Sequence, residues 1–261
     1  MRAVRMCLKR PVPKRAIGLR LALAAMLVGI AAPASAIVGG RPADEATRAQ
    51  TALIVSTRGA SCTGVVLSPY VVLTAAHCVQ PAANYAAVAF EASGPRLIEA
   101  SRVALHPQFD PASFETRRPT PDLALVKLSA PLPANFRPAR LSSEPALPAR
   151  RTAFTLAGYG VVKDGDGKSA GTLRVVNLPS IGTTGGIMIR LSASDSAGSP
   201  AAGGCTGDSG GPVFLNGTVA GIIGWSTAAG GARGCGGVTG ATLVGPQRTW
   251  IDATARALDA N

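Results

Sequence analysis

From Thr51 to Val244 the chain breaks into short runs rich in apolar and β-branched residues, each closed by Gly, Pro or Ser. Leu53 to Ser56, Gly64 to Leu67, Val71 to Thr74, Leu123 to Leu128 and Thr152 to Leu156 have strand character, as do Thr172 to Val176, Ile187 to Leu191, Val213 to Phe214 and Thr218 to Ile223. Such spacing leaves no room for a helix after each strand, so it points to an antiparallel, all-β barrel or sandwich and away from α/β alternation. Between Ser129 and Pro148 stand Pro131, Pro133, Pro138, Pro145 and Pro148. Proline cannot donate to a sheet ladder, so this stretch reads as the connection between two β-subdomains. Only the tail, Gln247 to Leu258, reads as helix, with Trp250, Ile251, Thr254 and Leu258 near a 3.6-residue spacing and Pro246 just before it.

The first 36 residues read as an address. Arg2, Arg5, Lys9, Arg10, Lys14, Arg15 and Arg20 form a basic n-region, Leu21 to Ala32 an uncharged apolar stretch, and Ala34-Ser35-Ala36 a small-residue cleavage site of the Sec type. Cutting after Ala36 leaves Ile37 at the new terminus. The apolar run of about a dozen residues is short of the roughly 20 that span a bilayer, so no stable membrane anchor is expected. Seven of the 26 Lys and Arg residues and none of the 14 Asp and Glu residues lie in this leader, so the remainder carries 19 basic against 14 acidic residues, a net +5. Those basic residues are scattered and aromatics are few, which argues against a nucleic-acid partner.

The processed chain holds Cys62, Cys78, Cys205 and Cys235. An even number after an export signal reads as two disulfides, for which three pairings exist. With His77 and His106 as the only histidines and no Cys-x-x-Cys, no metal site is expected, and no cofactor.

A serine hydroxyl attacks a carbonyl only when a base takes its proton, and the base must be held in one tautomer by a third group. His77 follows the apolar strand Val71 to Leu73 in Thr74-Ala75-Ala76-His77-Cys78, at a strand end. His106, in Leu105-His106-Pro107, reads as a surface turn. Asp122 opens the run Leu123 to Leu128, which carries it toward the interior, where a carboxylate needs a partner. Ser209 lies in Gly207-Asp208-Ser209-Gly210-Gly211-Pro212, whose glycines let the N–H groups of Gly207 and Ser209 converge on an oxyanion.

The chain resembles the chymotrypsin/trypsin-like serine proteases across essentially its whole processed length. The matching pieces, in the family's order, are Ile37-Val38-Gly39-Gly40, Thr74-Ala75-Ala76-His77-Cys78, Asp122-Leu123-Ala124-Leu125, Gly158-Tyr159-Gly160, Gly207 to Pro212 and Gly224-Trp225-Ser226. We read it as a secreted, bacterial member. The resemblance implies two antiparallel six-stranded β-barrels, at about 37–140 and 149–245, followed by the C-terminal helix at 246–261. It implies His77 as base, Asp122 as its orienter, Ser209 as nucleophile, Gly207 and Ser209 as the oxyanion hole, and disulfides Cys62–Cys78 and Cys205–Cys235. It also implies an ion pair between the freed Ile37 ammonium and Asp208, so that signal removal itself activates the enzyme. Protein or peptide substrates and protein protease inhibitors are the expected partners of a monomer that is secreted or periplasmic.

In the trypsin branch an aspartate two residues before the motif's cysteine floors the primary pocket. Here that position is Gly203, and Asp195 lies ten residues before Cys205, too far to align. With Thr206, Trp225, Ser226 and Gly237 as the other lining positions, the pocket is expected to be uncharged and to prefer apolar residues before the cut. Two departures stand out. Gly224 replaces the serine whose hydroxyl contacts the triad carboxylate, and the third disulfide is absent around Pro179 to Gly204, which is expected to be more mobile. The competing reading is a catalytically silent relative that uses the scaffold for binding.

Overall fold

A computed structural model describes residues 37–91, 93–116, 118–144, 147–193 and 202–260. The expected leader with its expected cleavage site, Asp195 and part of the Pro179 to Gly204 segment lie outside the described residues. After a two-residue strand β1 (Arg41–Pro42) and a short helix α1 (Glu45–Gln50), six strands follow: β2 (Thr51–Ser56), β3 (Ser61–Val66), β4 (Val71–Thr74), β5 (Tyr85–Glu91), β6 (Gly94–Leu105) and β7 (Ala124–Leu128). They close into an antiparallel barrel in the order β2-β3-β4-β7-β6-β5. Closure removes the unpaired edges that an open sheet would present.

A second set, β8 (Ala153–Gly158), β9 (Arg174–Thr184), β10 (Met188–Leu191), β11 (Pro212–Leu215), β12 (Thr218–Ser226) and β13 (Thr239–Leu243), runs β9-β10-β13-β12-β11-β8. Pairing of β8 with β9 closes it as a second barrel, and β1 adds to the outer edge of β9. The chain is therefore mostly β, with two six-stranded barrels and a C-terminal helix, α3 (Arg248–Asp259). Leu123, Leu125, Val71 and Leu73 of the first barrel share one apolar cluster with Val219 and Ile222 of the second and with Ile251 and Leu258 of α3. The helix thus buries Ile251 and Leu258 in this shared cluster and packs against β4 and β7 of the first barrel.

Three expectations are corrected. Helix is not confined to the tail: α1 forms behind Asp44, whose side chain accepts from Thr47 N at 2.8 Å, and the four-residue α2 (Ser113–Thr116) follows later. The pair β5 and β6 went unread because Ala86, Ala87 and Ala89 lack strand propensity and β6 carries Arg96, Glu99 and Arg102. In the barrel those alanines are buried, where small side chains suit a narrow interior. His106 is not on a surface turn: it is 6% exposed, its Nδ1 accepts from Gln108 N, and its ring meets Trp250 of α3 edge-on at 4.6 Å.

Candidate active site

Strand pairing brings the first two site residues together. β4 pairs with β7 so that Thr74 faces Ala124, and the chain beyond Thr74 and before Ala124 must meet at the same barrel end. His77 sits there on a tight turn, Ala76–Val79, and Asp122 two residues ahead of β7. Asp122 Oδ2 lies 2.6 Å from His77 Nδ1, and Oδ1 accepts from the His77 main-chain N–H at 3.0 Å. Both carboxylate oxygens are thus spent on one histidine, which offsets burying a group that is 4% exposed. With Nδ1–H given to Asp122, Nε2 is left as the basic nitrogen. The Cys62–Cys78 disulfide ties this turn to β3.

Ser209 comes from the second barrel, in the turn before β11, and shares with His77 a cavity of about 440 Å³. Its Oγ donates to Gly224 O at a long 3.5 Å. Thr63 of β3 reaches across to fix the turn: its N–H donates to Ser209 O at 2.7 Å and its hydroxyl to Gly207 O at 2.9 Å. Gly207 has φ of +95°, a conformation that favours glycine. The N–H groups of Gly207 and Ser209 have no acceptor among the described residues. Two unspent donors beside a serine Oγ are what a developing oxyanion requires.

Asp208 is fully buried, and its two oxygens accept from Gly160 N and Cys205 N, each at 2.8 Å. Burial dominates over these hydrogen bonds and pushes its carboxyl up to about 7. The Gly158-Tyr159-Gly160 motif follows from this carboxyl: a Cβ on Gly160 would stand 2.6 Å from Asp208 Oδ1. Ile37 is also wholly buried, among Phe154, Leu156, Ile189 and Leu191, with its peptide bond to Ala36 still part of the sequence. The next residue, Val38, exchanges two backbone hydrogen bonds of 3.0 Å with Gly203. The segment behind Ile37 is therefore locked directly to Gly203, the expected pocket floor.

Thr206 and Ser226 line the cavity that holds Ser209, while Trp225 and Ser226 line an adjoining one. Gly203 and Gly237 are buried, and a Cβ on Gly203 would fall 3.3 Å from Gly237 O, so these two backbones abut. Sequence reasoning missed Asp164, an exposed acid that lines the Ser209 cavity together with Arg58 and Gly234. Its only sequence signal was a loop position, Asp164-Gly165-Asp166-Gly167. Asp164 also approaches the sulfurs of Cys205 and Cys235, and His77 those of Cys62 and Cys78. Both cysteine pairs are disulfides, so neither group offers the thiolates a metal would take. Gly224 is buried, and a Cβ there would lie 3.3 Å from Asp122 Oδ2, so the missing serine hydroxyl would have reached the carboxylate.

A family profile described as trypsin matches residues 37–251. Human serine protease 56 is 36% identical over 167 residues, which cover 58% of this chain and 27% of that protein. The chain thus spans about a quarter of that relative. Trypsin-3 of Salmo salar is 28% identical over 206 residues, covering 74% of this chain and 82% of that protein. Among solved structures, human heparin binding protein superposes with a TM-score of 0.66 at 24% identity, over 83% of this chain and 96% of that one. That last likeness concerns the fold alone.

Proposed function

The chain belongs to the trypsin family of serine-type endopeptidases, and from that premise we propose that it hydrolyses peptide bonds through Ser209, His77 and Asp122. The observation that carries this reading is the 2.6 Å contact of Asp122 with His77 Nδ1, with His77 and Ser209 lining one cavity. His77 Nε2 takes the proton of Ser209 Oγ as that oxygen bonds to the substrate carbonyl. The carbonyl oxygen gains negative charge within reach of the Gly207 and Ser209 N–H groups, each worth about 3 to 4 kcal/mol to the transition state. His77 then gives its proton to the departing amine, leaving an acyl-Ser209 ester. Water, deprotonated by His77, cleaves the ester and restores the serine.

The uncharged floor at Gly203 supports cleavage after small to medium apolar residues. We assign residues 37–261 as the protease domain and residues 1–36 as an export signal, giving a secreted or periplasmic enzyme. A bacterial source belongs to the same reading and stands beside named relatives that are animal proteins. Removal of the leader frees the Ile37 ammonium to pair with Asp208, whose buried carboxyl is held near 7 and is poised to lose its proton to such a neighbour.

The test is peptide hydrolysis by the exported protein. Ser209→Ala should lower kcat on the order of 10⁶-fold. No turnover of any peptide by the processed protein would favour a scaffold used only for binding, and turnover unaffected by the substitution would remove Ser209 from the chemistry.

A further inference from the structure

Beside the Ser209 cavity lies a larger one, of about 630 Å³, joined to it by the shared wall residue Ser226. Its walls hold three arginines from three separate segments: Arg118 before β7, Arg190 on β10, and Arg233 in the loop before β13. Among the described residues the one acid on its lining is Asp122, which is committed to His77. Among the described residues none of the three arginines enters an ion pair or a side-chain hydrogen bond. Arg190 Nε is buried with no acceptor among the described residues. Its Nη2 and Nη1 of Arg150 lie 3.9 and 3.4 Å from one point, the place where Gly182 would carry a Cβ. Guanidinium groups so gathered repel one another, and a buried N–H without an acceptor is destabilising. Both penalties fall when an anion enters.

The substrate chain has a track into this cavity. Beyond Gly224, β12 is hydrogen-bonded to β13 through Trp225 and Ser226, and β11 stops pairing at Ile222. Among the described residues no strand pairs with the other edge of Trp225 and Ser226, which begins where Ser209 Oγ meets Gly224 O. An extended peptide can add to that edge as a strand, with alternate side chains directed into the adjoining space.

We propose that this cavity is a specificity site for acidic side chains, selecting substrates with Asp or Glu at the second to fourth residues before the cleaved bond. The proposal rests on the peptidase reading and adds charge selection at positions the uncharged primary pocket does not control. The field of three arginines in a concave wall acts on an approaching carboxylate at long range, so selection should weaken as salt rises.

The test uses the exported, processed protein and peptides that share one apolar residue before the cut and differ upstream only as Asp, Asn or Lys. The Asp peptide should show kcat/KM about tenfold above the Asn peptide in low salt, with the gain mostly in KM and shrinking several-fold in 0.5 M NaCl. Arg190→Glu should invert the order in favour of Lys. Should that variant fail to fold, the double variant Arg118→Gln, Arg233→Gln alters exposed positions and should collapse the Asp to Asn ratio toward one. Asn and Asp peptides cut equally well would overturn the charge selection while leaving the peptidase reading intact. Cleavage of none of the peptides would overturn both.

Discussion

At the scale of single residues the site turns on how one buried carboxylate is satisfied. Asp122 spends one oxygen on the His77 ring and the other on the His77 main chain. Gly224 leaves the space beside Oδ2 without a donor, and a Cβ built there sits 3.3 Å from that oxygen. A hydrogen bond to a charged group contributes about 1.5 to 3 kcal/mol. Gly224→Ser should therefore hold the His77 and Asp122 pair more firmly and raise kcat by about tenfold, read from steady-state rates on one peptide. A fall in kcat would show that the carboxylate has no room for the added atoms and that the glycine serves this site better.

Much at this scale was legible in the sequence because the chemistry requires contiguous residues. The turn from Gly207 to Pro212 carries the proposed oxyanion donors and the proposed nucleophile within six positions, and Gly158-Tyr159-Gly160 packs against Asp208, fifty residues away. Thr63 was not legible. Its hydroxyl and N–H fix the nucleophile turn from the opposite barrel, and nothing in a β-strand's composition marks one threonine as reaching across a domain join. Asp164 and the arginines Arg118, Arg190 and Arg233 were missed for the same reason, since each meets the cleft only after distant segments are folded together.

At the scale of elements, the clearest dependence is that of the first barrel on α3. The helix buries Ile251 and Leu258, and Arg248 anchors its first turn by donating to Leu141 O and Ser142 O at 2.9 and 3.1 Å. His106, ahead of the β7 segment, completes the contact through Trp250. Burial holds the His106 imidazole below its usual 6.5. The unfolded chain then takes up a proton that the folded state resists, so this contribution is complete above pH 6.5 and is lost as pH falls below it. In the processed protein, the Tm of His106→Gln should fall less between pH 7 and pH 5 than that of the parent. Parallel curves would mean that His106 plays no part in the acid sensitivity. Most strands were readable from apolar runs, and β5 with β6 was not, since alanine and surface charge hide a strand whose partners supply its stability.

For the whole molecule, the coupling that matters joins the proposed leader boundary to the cleft. Ile37 is buried in the second barrel, Val38 is laced to Gly203, and Asp208 sits beneath the nucleophile with its carboxyl raised by burial. A carboxyl whose folded value is about 7 favours the folded state most at low pH and withdraws that support as pH rises toward 7. An ammonium at Ile37 reverses this by pairing with the ionised form. The stability gained on cutting after Ala36 should therefore be larger at pH 8 than at pH 5, as read by comparing Tm of the uncut and processed proteins. A mature terminus other than Ile37 in the exported protein, or an equal gain at both pH values, would break the link between export and activation.

An activated Ser209 is open to covalent capture. A serine-directed phosphonate with an apolar recognition group, incubated with the processed protein and followed by peptide mapping, should give one adduct, on Ser209, and none in Ser209→Ala. An unlabelled protein, or an adduct on a different residue, would mean that Ser209 is not the activated nucleophile.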